Sequence, residues 1–235
     1  MTQSTNGHRL VLFDIDGTLL SAGRAARESV LAALERIFGW KGQGAADGYD
    51  FSGKTDPQIL RELVGATVGE EHLARELPRA LDLYLEELER RLDPSAVKVK
   101  PGIPPLVDRL ASDSRVTLGL LTGNIERGAR LKLEPPGLNR YFPFGAFGSD
   151  SADRYSLPAV AIERARQSTG RAFAGKSVVI VGDSVHDVAC GRSLGARAVA
   201  VATGWTSRER LLAEKPDAFF ADFSDVDSAF EAILS

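Results

Sequence analysis

Two aspartates stand one residue apart in Asp14-Ile15-Asp16-Gly17-Thr18-Leu19, directly after the apolar run Arg9–Phe13. A third closes the run Val178–Val181 in Gly182-Asp183-Ser184, and Asp187 follows four residues later. If Asp14, Asp16 and Asp183 meet at one edge of a sheet, their like charges raise their pKa values unless a cation lies among them. Mg2+ suits such a set, being a hard ion that takes one or two carboxylates and leaves positions for water and a phosphate oxygen. A carboxylate neutralised in this way can attack phosphorus. Thr122-Gly123-Asn124, which ends the run Val116–Leu121, offers a hydroxyl and N–H groups to phosphate oxygens. Arg154, in the polar loop Ser149–Ser156, can balance the charge of a phosphoryl group in transit. Any one of these acids alone would more often cap a helix or turn. Together, in this chain order, they point to phosphoryl transfer.

Such residues need a scaffold that brings strand ends together. Short apolar runs at Arg9–Phe13, Val116–Leu121, Phe144–Phe147, Val178–Val181, Ala198–Val201 and Ala218–Phe220 read as parallel strands covered on both faces. Helical periodicity falls between them, near Ile103–Ala111, Ile125–Leu133, Leu157–Ser168, Asp187–Leu194 and Asp225–Leu234. Strand–helix alternation predicts a doubly wound α/β sheet, in which ligands bind beyond the carboxyl ends of the strands.

One stretch breaks the alternation. Residues 21–95 carry helical pattern and no convincing strand. Val30, Leu31, Leu34 and Phe38 recur at helical spacing, as do Leu73, Leu77, Leu81, Tyr84, Leu88 and Leu92. Asp56-Pro57 reads as an N-cap followed by the first helical residue. The expected organisation is a core of residues 1–20 and 96–235 with a helical cap, residues 21–95, inserted after the first strand.

Composition closes off other classes. Apolar residues make up 43% and charged residues 26%, which suits a folded globular chain rather than a disordered one. The net charge of −3 gives no basic excess for nucleic acid or an anionic membrane. The apolar runs are too short to span a bilayer, and MTQSTNGHRL lacks the apolar core of a signal peptide. A cytoplasmic location is therefore expected. Cys190 is the sole cysteine, so neither an internal disulfide nor a cysteine-based zinc site is available.

The four segments resemble the signature motifs of the haloacid dehalogenase-like hydrolase superfamily: DxDGT, a Ser/Thr motif, a basic residue and a GDxxxD-type acidic motif. The overall pattern is similar to the phosphoglycolate phosphatase-like and β-phosphoglucomutase-like branch with a helical cap. The resemblance implies that Asp14 is the nucleophile and forms an aspartyl-phosphate. It implies that Asp16 protonates the leaving oxygen and then deprotonates the attacking water. It implies that Thr122 binds the phosphoryl group, beside the N–H groups of Gly123 and Asn124 expected to contact the substrate. Mg2+ would be held by Asp14, Asp183 and the backbone carbonyl of Asp16, with Asp187 supporting its waters or orienting the basic residue. The expected partner is a small phosphorylated metabolite.

The third motif departs from the pattern. The family usually has Lys there, often before Pro, where this chain has Asp153-Arg154-Tyr155-Ser156-Leu157-Pro158. Arg154 keeps the charge and precedes a helix. The rival, Lys176, should lie at the opposite end of its strand.

Other signals weigh less. Gly170–Ser177, GRAFAGKS, fits a phosphate-loop pattern but follows a helix and enters a strand, the reverse of a working loop. His186 reads as a solvated or packing residue. The loop Asp47–Asp56 mixes Gly with Tyr49, Phe51 and Lys54 and can serve as a lid. Within it Lys54 is the best candidate to touch an anionic substrate. The leading expectation is a Mg2+-dependent phosphatase. A phosphomutase, a phosphonate hydrolase and a non-catalytic binder of phosphorylated ligands are the alternatives.

Overall fold

The computed structural model describes residues 7–65 and 67–235. The chain opens with β1 (Arg9–Phe13) and a short β2 (Leu20–Ser21). It then runs through α1 (Ala25–Phe38), α2 (Gln43–Asp47), α3 (Asp56–Val64) and α4 (Glu70–Arg91), and returns by β3 (Lys98–Val99). From there helices and strands alternate. They are α5 (Ile103–Ser112), β4 (Val116–Leu121), α6 (Glu126–Leu133), β5 (Gly145–Ala146), α7 (Leu157–Thr169), β6 (Val178–Gly182), α8 (Val185–Cys190), β7 (Arg197–Val201), α9 (Arg208–Ala213), β8 (Ala218–Phe220) and α10 (Val226–Leu234).

Six strands form one sheet in the order β5-β4-β1-β6-β7-β8, every neighbouring pair parallel. Apart from Arg9, Thr117 and Arg197 the strands are apolar, because both faces of the sheet are covered. Val11, Phe13, Leu118, Leu120, Val179 and Val181 face one helical layer, where Leu106 and Leu110 of α5 and Phe230 and Ile233 of α10 meet them. Leu10, Leu12, Val178 and Ile180 face the other, against Leu157 and Ala161 of α7 and against Phe173. Each large side chain withdrawn from water in this way stabilises the fold by about 1.5–3 kcal/mol. The chain builds outward from β1 to β5 on one side, then crosses to β6, β7 and β8 on the other. That reversal opens a crevice at the carboxyl end of β1.

Helices α1, α3 and α4 bury a separate apolar cluster, with Val30 and Leu34 against Leu60, Val64, Leu77, Tyr84 and Leu88. Val30, Leu34, Leu77, Tyr84 and Leu88 belong to the rows the periodicity marks. Where the helical segment leaves and rejoins the sheet, β2 and β3 pair antiparallel, Leu20 opposite Val99 and Ser21 opposite Lys98. Two-residue strands carry no periodicity, so this clamp has no sequence signature. Among the described residues no helix is long and apolar enough to cross a membrane.

Three local expectations are corrected. Thr55, not Asp56, caps α3: its hydroxyl accepts from the Gln58 N–H at 3.2 Å, and Asp56 and Pro57 occupy the first turn. Helix α8 starts at Val185 rather than Asp187, because Ser184 and Asp187 form a reciprocal capping box. It stops at Cys190, and the chain continues as a separate 3-10 turn, Arg192–Leu194. The strand expected over Phe144–Phe147 pairs only at Gly145–Ala146.

Candidate active site

Sheet register gathers the acids. Phe13 of β1 lies opposite Leu120 of β4 and Val181 of β6, so the chain leaves the sheet at Asp14, Thr122 and Asp183 along one edge. The Asp14 N–H donates to the Val181 carbonyl at 3.0 Å, holding Asp14 in line with the strand.

Asp14, Asp183 and Asp187 are all buried, and each offers a carboxylate oxygen within 4.8 Å of the others'. One side chain answers this charge directly. Arg154 is 3% exposed and sits in the turn before α7. It donates to Asp14 Oδ1 at 3.2 Å, to the Leu121 carbonyl at 3.3 Å and to Asp187 Oδ1. Its Nε is buried without a partner among the described residues. The other oxygen of Asp187 accepts from the Ser184 N–H at 3.0 Å and hydroxyl at 2.6 Å. Asp187 is thus spent on orienting Arg154 and capping α8. Among the described residues, Asp183 accepts only from Thr18 Oγ1, at 3.0 Å.

One guanidinium does not balance three carboxylates. Burial and the Asp187 charge, partly offset by Arg154, push Asp14 up to about 7. Burial and the charges of Asp14 and Asp187 hold Asp183 well above the usual carboxylate range. Space beside Asp183 is kept open by glycine. Gly17 has φ +92°, and a Cβ on it would lie 2.4 Å from Asp183 Oδ2; a Cβ on Gly204 would lie at 1.5 Å. Excess negative charge, oxygen donors alone and a cradle that a methyl group would fill fit a hard divalent cation.

Arg154 is also a structural cation. Arg154→Met strands two buried carboxylates, so we expect the metal-free protein to lose about 3 kcal/mol in urea unfolding at neutral pH. Unchanged stability would mean that the two acids find another partner.

Asp16 faces a different set of groups. Its Oδ2 accepts from Asn124 Nδ2 at 2.8 Å and from Lys132 Nζ at 2.6 Å. Lys132 also donates to Asn124 Oδ1 at 2.6 Å, and Asn124 Nδ2 donates to the Thr122 hydroxyl at 2.9 Å. Lys132 was not among the residues singled out from the sequence. The signal was there: Gly128, Ala129, Lys132 and Leu133 share the inward face of α6, and a lysine in that row has to be explained. The rival cation Lys176 is far away, exposed and paired with Asp217 at 2.6 Å.

The helical segment closes over this edge. The Asp56 N–H donates to the Gly123 carbonyl at 2.8 Å, and Asp56 Oδ2 accepts from the Ile125 N–H at 2.9 Å. Thr55 donates to the Ala152 carbonyl at 2.8 Å. A Cβ at Gly123 would lie 2.0 Å from the Lys54 carbonyl, so only glycine permits this approach. A cavity of about 840 Å³ remains between the two parts. Asp14, Asp16, Thr122 and Asp183 line its floor, while Tyr49 and Lys54 line its roof. Lys54 is restrained there: its Nζ lies 2.6 Å from Glu62 and 4.1 Å from the centre of the Tyr49 ring. Trp205, 90% exposed, stands at the rim. His186 is hydrogen-bonded through Nδ1 to the Tyr155 hydroxyl at 3.0 Å and is not part of the acidic cluster. The sequence Gly170–Ser177 ends in a short turn, Gly175–Ser177, that leads into β6, at the end of the sheet away from the cavity.

Comparison with known proteins adds independent findings. A family model described as haloacid dehalogenase-like hydrolase matches residues 11–201. Phosphoglycolate phosphatase 1 of Pseudomonas aeruginosa is 27% identical over 245 residues, covering 96% of this chain and 82% of its own. Phosphoglycolate phosphatase of Synechococcus elongatus is 26% identical over 227 residues, covering 95% and 98%. A solved structure described as a predicted phosphatase from Clostridium acetobutylicum shares the fold, with a TM-score of 0.72 and 22% identity over 97% of this chain and 98% of that one.

Proposed function

The chain belongs to the haloacid dehalogenase-like hydrolase family, and on that footing we propose that it is a Mg2+-dependent phosphatase hydrolysing a small phosphomonoester through an aspartyl-phosphate at Asp14. The observation that carries this reading is the pairing of a buried Asp14, held against Arg154, with Asp16 two residues on, both opening into one closed-over cavity. The names of the two phosphoglycolate phosphatases support a small, acidic phosphoester as substrate.

Each residue then has a distinct task. Asp14 attacks phosphorus, and Arg154 keeps that carboxylate pointed into the site and offers positive charge to the phosphoryl oxygens. The Thr122 hydroxyl accepts from Asn124, which leaves its own proton for a phosphoryl oxygen. Asp16 protonates the leaving oxygen and later takes the proton of the water that cleaves the intermediate. Asp14, Asp183 and the backbone carbonyl of Asp16 would hold Mg2+, which supplies charge neutralisation and Lewis-acid polarisation there. Asp187 supports the set by fixing Arg154. Residues 21–95 act as the cap. Their Tyr49 and Lys54 bound the non-phosphate end of the substrate.

A phosphate-release screen over small phosphorylated metabolites tests this proposal. Release from at least one of them should fall to the Asp14→Asn background in EDTA and return with added Mg2+. Release that persists undiminished in EDTA, or no release from any phosphomonoester with Mg2+ present, would contradict it.

A further inference from the structure

We infer that Lys132 is the positioning residue for the Asp16 carboxylate. This rests on the reading of Asp16 as the proton donor to the leaving group. Helix α6 begins just beyond Thr122-Gly123-Asn124 and turns Lys132 inward, in the same row as Gly128, Ala129 and Leu133. The Lys132 side chain is 3% exposed, while that of its partner Asp16 is 44% exposed. Burying an ammonium is costly unless its hydrogens are used, and a pair serving the fold alone has no reason to leave its acid open to a cavity. Both side chains border the cavity, but the cation is almost wholly buried while the anion is presented at its floor.

The geometry fixes one oxygen and releases the other. Lys132 Nζ and Asn124 Nδ2 both donate to Oδ2 of Asp16, at 2.6 and 2.8 Å. Lys132 also donates to Asn124 Oδ1, so the three side chains lock one another. Among the described residues no protein donor reaches Oδ1 of Asp16. With Oδ2 committed, Oδ1 is the oxygen left to carry a proton to the substrate. A carboxylate held from one side loses rotational freedom, and the proton is delivered from a fixed point. Beneath the ammonium, the buried carboxylate of Asp56 is stabilised by the same charge and binds the Ile125 N–H at 2.9 Å. The positioning group therefore sits where α3 meets the loop that begins α6.

Leaving-group dependence separates positioning from packing or phosphate binding. Single-turnover phosphorylation is measured with Mg2+ across phosphate esters running from p-nitrophenyl to simple alkyl, in wild type, Asp16→Asn, Lys132→Met and Lys132→Gln. Thermal unfolding reports on folding, and Lys132→Gln decides if the Met variant does not fold. A nitrophenolate leaves without help, whereas an alkoxide needs a proton. We expect Asp16→Asn and the folded Lys132 variant to share one signature: about 100-fold loss with alkyl esters, shrinking to a few-fold with p-nitrophenyl phosphate, and little change in KM. If Asp16→Asn shows that signature and the Lys132 variant loses rate uniformly, changes only KM or matches wild type, the inference is overturned and the role of Asp16 stands. If Asp16→Asn itself is indifferent to the leaving group, the proton-donor assignment fails and the inference falls with it.

Discussion

Asp14→Asn is expected to abolish phosphate release, by about 10⁴-fold or more, while the protein stays folded. An amide of the same shape cannot form the acyl phosphate, and the neighbouring carboxylates are already engaged: Asp187 with Arg154 and Ser184, Asp183 with Thr18, and Asp16 through Oδ2 with Lys132 and Asn124. The same substitution should not cost stability in the metal-free protein. The folded-state pKa of Asp14 is raised to about 7, chiefly by burial and by Asp187. An acid whose folded pKa exceeds its unfolded value opposes folding increasingly as pH climbs between the two, from about 4 to about 7 here. Above that window the opposition is complete, so Asp14→Asn should unfold at the same temperature as wild type or higher at pH 8. Loss of activity with a sharply lowered melting temperature would instead mark Asp14 as a structural residue.

Asp16→Asn should bring the second-largest loss, about 10²–10⁴-fold in steady-state turnover of an alkyl phosphate. Unlike the Asp14 variant, it keeps a nucleophile. With p-nitrophenyl phosphate it should therefore release one burst of nitrophenolate and then stall, because the intermediate lacks the base that activates water. Stopped-flow absorbance resolves the two phases. A variant that turns over steadily without a burst, at close to the wild-type rate, would remove Asp16 from both proton transfers.

How much of this was legible in the sequence varied with the range of the interaction that fixes each feature. The strands at Arg9–Phe13 and Val116–Leu121 are apolar but for Arg9 and Thr117, and both faces of a parallel sheet demand that. Their ends then place Asp14 and Thr122 by register alone. The long helix Glu70–Arg91 announces itself through Leu73, Leu77, Tyr84 and Leu88. The α8 start was displaced because Asp187 reads equally well as a first-turn acid and as the third residue of a capping box; only Ser184 settles it. Acid before proline fits a cap, yet the Asp56 carboxylate leaves its own helix for Ile125, a partner 69 positions away. Lys132 is hidden for a similar reason. Its partner Asp16 lies 116 positions upstream, and local pattern flags a buried lysine without naming the charge it meets.

The central claim is that phosphorus becomes bonded to Asp14. It is tested most directly by mixing Asp16→Asn with p-nitrophenyl phosphate and Mg2+, quenching in acid within the burst and reducing with borohydride. An acyl phosphate at Asp14 would be reduced to homoserine at position 14, found by peptide mass spectrometry and absent from Asp14→Asn. A burst of nitrophenolate with Asp14 recovered unmodified, or with the reduced residue at another acid, would contradict the account.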